Sequence, residues 1–205
     1  MAASSAKQGG KRKQQILESL ARELESNHGG RITTAGLARA VGVSEAALYR
    51  HFPSKARMFE GLIDFAEETV FSRVNRVLAE ESEPATRCRL ILGIALGFSA
   101  RNPGITRILL GDALAGEPER LRKRAGQYFR RLETQLKQVL REGEAAAGQR
   151  INQMEPEVGA NLMLAVVEGR MLQFVRSGFS QSPLTHWAVQ WEGLKRALFT
   201  EERCK

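Results

Sequence analysis

Cysteine is nearly absent from the 205 residues, with only Cys88 and Cys204, far apart in the chain. That usage excludes a disulfide framework and suggests free thiols in a reducing compartment. Histidine is equally scarce, and His28, His51 and His186 are too scattered to make a zinc set with either cysteine. No glycine-rich phosphate loop and no nucleophile elbow occurs, so the reading is of a protein without catalytic site, metal or cofactor. No apolar run approaches the roughly 18 residues of a bilayer span, so no membrane span is expected. The opening MAASSAKQGG lacks the apolar segment of a secretory signal. A cytoplasmic protein is the expectation.

Acidic charge is also short. Lys and Arg number 31 against 23 Asp and Glu, a formal +8 with a pI near 10.0. Residues 1–60 hold ten basic and five acidic side chains, so more than half of the excess lies in under a third of the chain. A concentrated basic balance favours a polyanionic partner.

The six prolines fall at apparent breaks, and nothing alternates with a period of two. From Lys11 to Ser26, Ile16, Leu17, Leu20, Ala21 and Leu24 make one apolar helical face. Two short helices follow, about 35–41 and from Ser44 to Pro53. A long helix then runs from Lys55 to about Glu80, with the stripe Phe59, Leu62, Ile63, Ala66, Val70, Val74, Val77 and Leu78. Glu81 to Pro84 reads as a hinge. Later helices are expected at about 86–100, 104–115, 118–142, 156–178 and 183–201, with 143–153 the loosest loop. The architecture is all-α.

The informative stretch is ITTAGLARAVGVSEAALYRHFPSK, residues 32–55. Thr33 or Thr34 can cap the first short helix, Gly42 suits the left-handed residue that ends it, and Ser44 caps the second. Leu37, Val41, Val43, Ala47 and Leu48 are placed to pack the pair onto the preceding helix. This is the layout of a helix-turn-helix, whose second helix enters the major groove of DNA. Ala46 lets that helix approach thymine methyls, while Arg50 and His51 lie at its exposed end. Tyr49 and Lys55 suit phosphate, the latter beside a capped helix start. Packing beside Phe52 is the competing reading of His51. Glu45 either complements the helix dipole or accepts from a cytosine amino group, and the sequence favours neither. Residues 1–10 read as a flexible arm, with Lys11, Arg12 and Lys13 adding backbone or minor-groove contacts.

The string TTAGLARAVGVSEAALYRHFPSKARMF resembles the DNA-binding signature of the TetR/AcrR family of bacterial helix-turn-helix proteins. The resemblance implies a three-helix DNA-binding domain over 11–55 (motif about 33–52), joined by the long helix to a helical dimerisation and partner-binding domain over 56–205. It further implies a homodimer on a roughly palindromic site, with several dimers on one site. It assigns Thr33, Thr34, Ser44, Ala46, Tyr49, Arg50, His51 and Lys55 to DNA. RNPGITRILLGDAL (101–114), TQLKQVLRE (134–142) and FVRSGF (174–179) resemble a branch of the family that acts in nucleoid occlusion. That branch binds chromosomal DNA together with the division protein FtsZ, which implies association with the nucleoid. Many other members are repressors released by small ligands, an alternative that requires a cavity of roughly 300–1,000 Å³ in the large domain.

Phe65 points about 120° away from the centre of the long helix's stripe. With Arg73, Arg101 and Asn102 it suits a short peptide with apolar and acidic side chains, such as the FtsZ tail; packing on a neighbouring helix is the competing reading. The basic run 119–142 carries its own wide apolar face (Leu121, Ala125, Tyr128, Phe129, Leu132, Leu136, Val139, Leu140), so its cations read as a solvated surface. The last helices show Leu162, Ala165, Val166, Met171, Phe174, Val175, Trp187, Trp191, Leu194 and Leu198. These form either a four-helix dimer seam or a core within one subunit.

Overall fold

The structure, a computed structural model, describes residues 2–27, 32–147 and 152–199, with side chains from residue 10 onward; His28 and Cys204 lie outside them. Among the described residues the helices are α1 (Ala2–Ser26), α2 (Thr34–Val41), α3 (Glu45–His51), α4 (Lys55–Glu80), α5 (Pro84–Arg101), α6 (Pro103–Leu109), α7 (Glu119–Ala147), α8 (Pro156–Arg176) and α9 (Trp187–Leu198), with a 3-10 turn at Asp112–Leu114. An isolated antiparallel bridge joins Asn152 and Phe199. The chain forms two compact units, one of Met1–Ala66 with Asn102–Ala125, the other of Glu67–Arg101 with Gly126–Lys205.

In the first unit, Ile16, Leu20 and Leu24 recur at four-residue spacing along α1 and are buried. They meet Leu37 and Ala38 of α2 and Leu48 of α3, also buried, because a short helix is stable only when its apolar face is covered. Two expectations change here. The residues read as a flexible arm continue α1, which begins at Ala2, so Lys11, Arg12 and Lys13 ride on a helix. The boundary at residue 55 also gives way, since α6 and the start of α7 join the N-terminal unit. The cause is close approach: a Cβ on Gly104 would lie 2.2 Å from the Ala21 carbonyl oxygen, so α6 and α1 touch backbone to backbone. Three residues on, the buried Arg107 donates to the carbonyls of Leu24 (2.7 Å) and Asn27 (2.6 Å) and pairs with Asp112 at 2.5 Å. A guanidinium thus caps the C-terminal end of α1, where unpaired carbonyls favour a cation. The helix expected over 104–115 stops at Leu109, and Gly111 turns the chain with φ 79°.

The eight apolar positions expected along α7 are all buried, Leu121 and Ala125 in the first unit and the other six in the second. Tyr128 stacks edge-on against Phe71 (5.7 Å) and Phe129 (5.1 Å), and the Arg131 guanidinium covers the outer face of Phe71 at 3.9 Å. The expected hinge is a tied connector. Arg87 donates to the carbonyls of Leu78 (2.9 Å) and Glu81 (2.5 Å), while Glu83 accepts from the Ala85 amide (2.9 Å) and that of Thr86. Burial pushes the Cys88 thiol well above its ordinary pKa and leaves it un-ionised. The last helix begins at Trp187 instead of about 183, because His186 takes a left-handed φ of 61° and Arg170 donates to the carbonyls of Pro183 (2.6 Å) and Thr185.

The expectation of no span-like segment needs correcting: α8 is long and apolar enough to cross a bilayer by length and composition, with a mean hydropathy of 1.3. It carries Glu157, Glu168, Arg170 and Arg176 and packs on α5 as a core helix, burying Met163, Val167, Met171 and Phe174. Met171, Phe174, Trp187, Trp191 and Leu198 therefore belong to the subunit's own core. The apolar residues that α8 leaves exposed are Val158, Ala165 and Leu172, seven residues apart on one side.

Candidate nucleic-acid interface

The helix-turn-helix is set by local bonds. Thr33, extended at φ −105°, accepts from the Gly36 amide at 3.1 Å and starts α2. Gly42 ends it at φ 72°, ψ 40°, a conformation in which a Cβ is strained, and the Val43 amide returns to the Ala38 carbonyl at 2.9 Å. Ser44 accepts from the Ala47 amide at 3.2 Å and starts α3. The Phe52 amide closes α3 onto Leu48, Pro53 prevents continuation, and Ser54 accepts from the Arg57 amide (3.3 Å) at the start of α4.

A helix of seven residues has one buried face and one open one. Leu48 is fully buried, whereas Ala46, Tyr49 and Arg50, at i, i+3 and i+4, share the opposite side and are exposed, Tyr49 by 42%. Thr33 and Ser44 are exposed beside them, and Thr34 is half-buried. Both caps use their hydroxyl oxygen as an acceptor, so each keeps an O–H proton to donate to a phosphate. Thr34 differs: its hydroxyl donates to Glu45 Oε2 at 2.8 Å. Its single proton is committed, and it holds Glu45. His51, the last residue of α3, is half-buried.

Lys55, read from the sequence as suited to phosphate, carries an ion pair in the structure. Its Nζ lies 2.6 Å from Glu117, in the turn before α7, and 5.4 Å from the centre of the Phe59 ring. The side chains are only 17% and 10% exposed. Farther along, Glu60 meets Arg120 at 3.1 Å and Asp64 meets Arg124 at 2.9 Å, so three ion pairs in step join the first half of α4 to the approach and start of α7. Glu117 had no signal in the sequence, being 62 positions from its partner. Arg107 left only a faint one, a lone cation in the apolar run ITRILL.

The residues read as a peptide-binding set divide between the units. Phe65 (39% exposed) and the half-buried Asn102 belong to the first, Arg73 and Arg101, both exposed, to the second. The Arg101 guanidinium folds back along its own helix, its nitrogens 3.6 Å from where a Cβ on Gly97 would stand.

An open recognition face between two side-chain caps, on a three-helix unit feeding a long helix, defines a helix-turn-helix DNA-binding protein. Comparison with known proteins agrees. The family described as bacterial regulatory proteins, tetR family, matches residues 16–62, and the tetracyclin repressor-like C-terminal domain of the SlmA-like type matches 82–199. The chain belongs to the TetR family, in its SlmA-like branch. It is 56% identical over 187 residues to a protein of Shewanella loihica named nucleoid occlusion factor SlmA, covering 91% of this chain and 94% of that one. The protein of the same name from Alteromonas mediterranea is also 56% identical, over 90% and 94%. Solved structures of a TetR transcription regulator from Haloarcula marismortui (TM-score 0.75, 20% identity, 93% and 100% covered) and of MbdR from Azoarcus (0.76, 17%, 92% and 100%) share the fold.

Proposed function

We propose that this protein is a nucleoid occlusion factor: a homodimer that binds chromosomal DNA and the division protein FtsZ together and blocks Z-ring assembly over the nucleoid. The observation that carries the reading is the 56% identity, sustained over nine-tenths of the chain, to proteins of that name. Dimerisation uses α8 and α9, whose outward apolar residues Val158, Ala165, Leu172 and Val189 lack a cover within the subunit's own core. Two copies of α3 then enter successive major grooves of a roughly palindromic site. Thr33, Ser44, Tyr49 and Lys55 set register on the phosphates, and Ala46, Arg50 and His51 meet base edges or flanking backbone. For the FtsZ tail, Phe65 and Asn102 offer an aromatic anchor and an amide on the first unit, and Arg73 and Arg101 offer cations on the second for an acidic, apolar peptide. The protein works at the nucleoid in the cytoplasm and takes several dimers per site.

The test is sedimentation of FtsZ polymers with this protein, with and without duplex DNA selected from a random pool. The expected result is less polymer in the pellet when protein and DNA are both present. Phe65→Ala should abolish that effect while leaving DNA affinity intact. No change in FtsZ under either condition would turn the reading to a ligand-released repressor.

A further inference from the structure

The function derived above leaves Glu45 unused, an acidic side chain on the first residue of the helix that meets the bases. We propose that Glu45, held by Thr34, determines sequence specificity by selecting cytosine at one symmetry-related position in each half-site. The inference rests on the DNA-binding reading and adds a base preference to it.

Three observations combine. Glu45 is exposed, at the end of α3 whose residues reach base edges in a helix-turn-helix. Its carboxylate is not free to rotate, because Oε2 accepts the Thr34 hydroxyl at 2.8 Å, across the turn from the start of α2. Thr34 in turn cannot donate to a phosphate while it makes that bond, since a hydroxyl has one proton. The pair therefore presents a fixed acceptor, Oε1, in a place where the other exposed groups are neutral or cationic.

An ionised carboxylate only accepts hydrogen bonds. In the major groove guanine offers N7 and O6 and thymine offers O4, all acceptors, so either would face Glu45 with two unpaired lone-pair groups. Adenine offers a donor at N6 but an acceptor beside it at N7. Cytosine alone offers the N4 amino group with no adjacent acceptor on its edge. Glu45 thus works largely by exclusion, which suits a negative group that would otherwise be unwelcome near phosphates. The N-terminal end of α3 and the Thr34 bond offset part of its repulsion from the backbone.

The experiment is selection from a randomised duplex pool with the full-length protein, followed by sequencing and titration of the selected duplex. Wild type should fix one symmetry-related pair of positions as cytosine. Glu45→Ala should leave that pair degenerate with the other positions unchanged. Glu45→Gln, nearly isosteric, should move the preference to adenine, whose N6 and N7 match an amide bidentately. Affinity of either variant for the wild-type site should fall roughly 5- to 150-fold, with affinity for random duplex equal or higher. Thr34→Val should broaden the same pair, and Thr34→Ser should restore it. The proposal fails if both Glu45 variants select the wild-type site with undiminished stringency, or if specificity weakens evenly at all positions. A wild type that binds no duplex selectively would overturn it together with the DNA-binding reading, whereas selective binding with unaltered variants overturns the proposal alone.

Discussion

Replacing Glu117 by Gln removes one negative charge from beside Lys55 while keeping the side chain's shape and an acceptor for the ammonium. In the free protein that ammonium is 2.6 Å from the carboxylate, so the pair presents almost no net charge to an arriving phosphate. A phosphate bound to the open side of Nζ would sit about 3 Å from it and roughly 6 Å from the Glu117 carboxylate. Two unit charges at that distance repel by ~0.7 kcal/mol at the dielectric of water and ~3 kcal/mol at an effective value of 20. For a pair at the protein surface, about 1 kcal/mol per protomer is the reasonable figure, or about five-fold in affinity per half-site. The expected outcome is therefore tighter DNA binding and a steeper decline with salt, by about 0.9 in log–log slope per protomer. Lys55→Ala in the same background should erase both gains. Fluorescence anisotropy of a labelled selected duplex, from 50 to 300 mM salt, measures both quantities, and a thermal melt monitors the loss of the pair, about 1 kcal/mol or a few degrees. A folded Glu117→Gln protein with unchanged affinity and slope would show that Lys55 never meets a phosphate, and the ion pair would then be a structural tie alone.

Arg107→Met should lower stability to urea by about 3 kcal/mol, because two carbonyls at the end of α1 and Asp112 lose a charged donor in a largely buried place. Gly104→Ala should cost a comparable amount, since its Cβ would meet the Ala21 carbonyl oxygen at 2.2 Å; equal urea midpoints for variant and wild type would refute the backbone contact. Glu83 carries a pH-dependent share of stability. Burial tends to raise its pKa, but hydrogen bonds from the Thr86 side chain and the Ala85 and Thr86 amides hold it below the ordinary 4.5. A depressed carboxyl contributes above the unfolded value, and the contribution disappears as pH falls through the folded one. Glu83→Gln should thus melt below wild type at pH 7, by about 1 kcal/mol, with the gap closing below about pH 4.5; a constant gap would exclude the charged cap.

Much of the DNA-binding face was legible because its signals are local. Thr33 reaches Gly36 and Ser44 reaches Ala47 across three residues, and Gly42 is read from the one conformation that ends α2 there. Periodicity likewise marked the buried sides of α1 and α7, since an apolar stripe needs only a 3.6-residue repeat to reveal it. The end of α6 was missed because apolar residues continue on both sides of its breaker, Gly111: Ile108, Leu109 and Leu110 before it, Ala113 and Leu114 after it. The core role of Met171 and Trp191 could not be told from a dimer seam, because a broad apolar face looks the same whichever chain covers it.

By itself, then, the order of residues determined the helix-turn-helix, its caps Thr33, Gly42 and Ser44, and the outward set Ala46, Tyr49 and Arg50, all of which depend on neighbours within a turn or two. Only the tertiary structure decided that Lys55 pairs with Glu117, that the Thr34 hydroxyl donates to Glu45, and that α6 belongs with α1. Those outcomes depend on which charges and backbones the packing brings within 3 Å. Residues 62 or 83 positions apart carry no mark of such a meeting until the chain has folded.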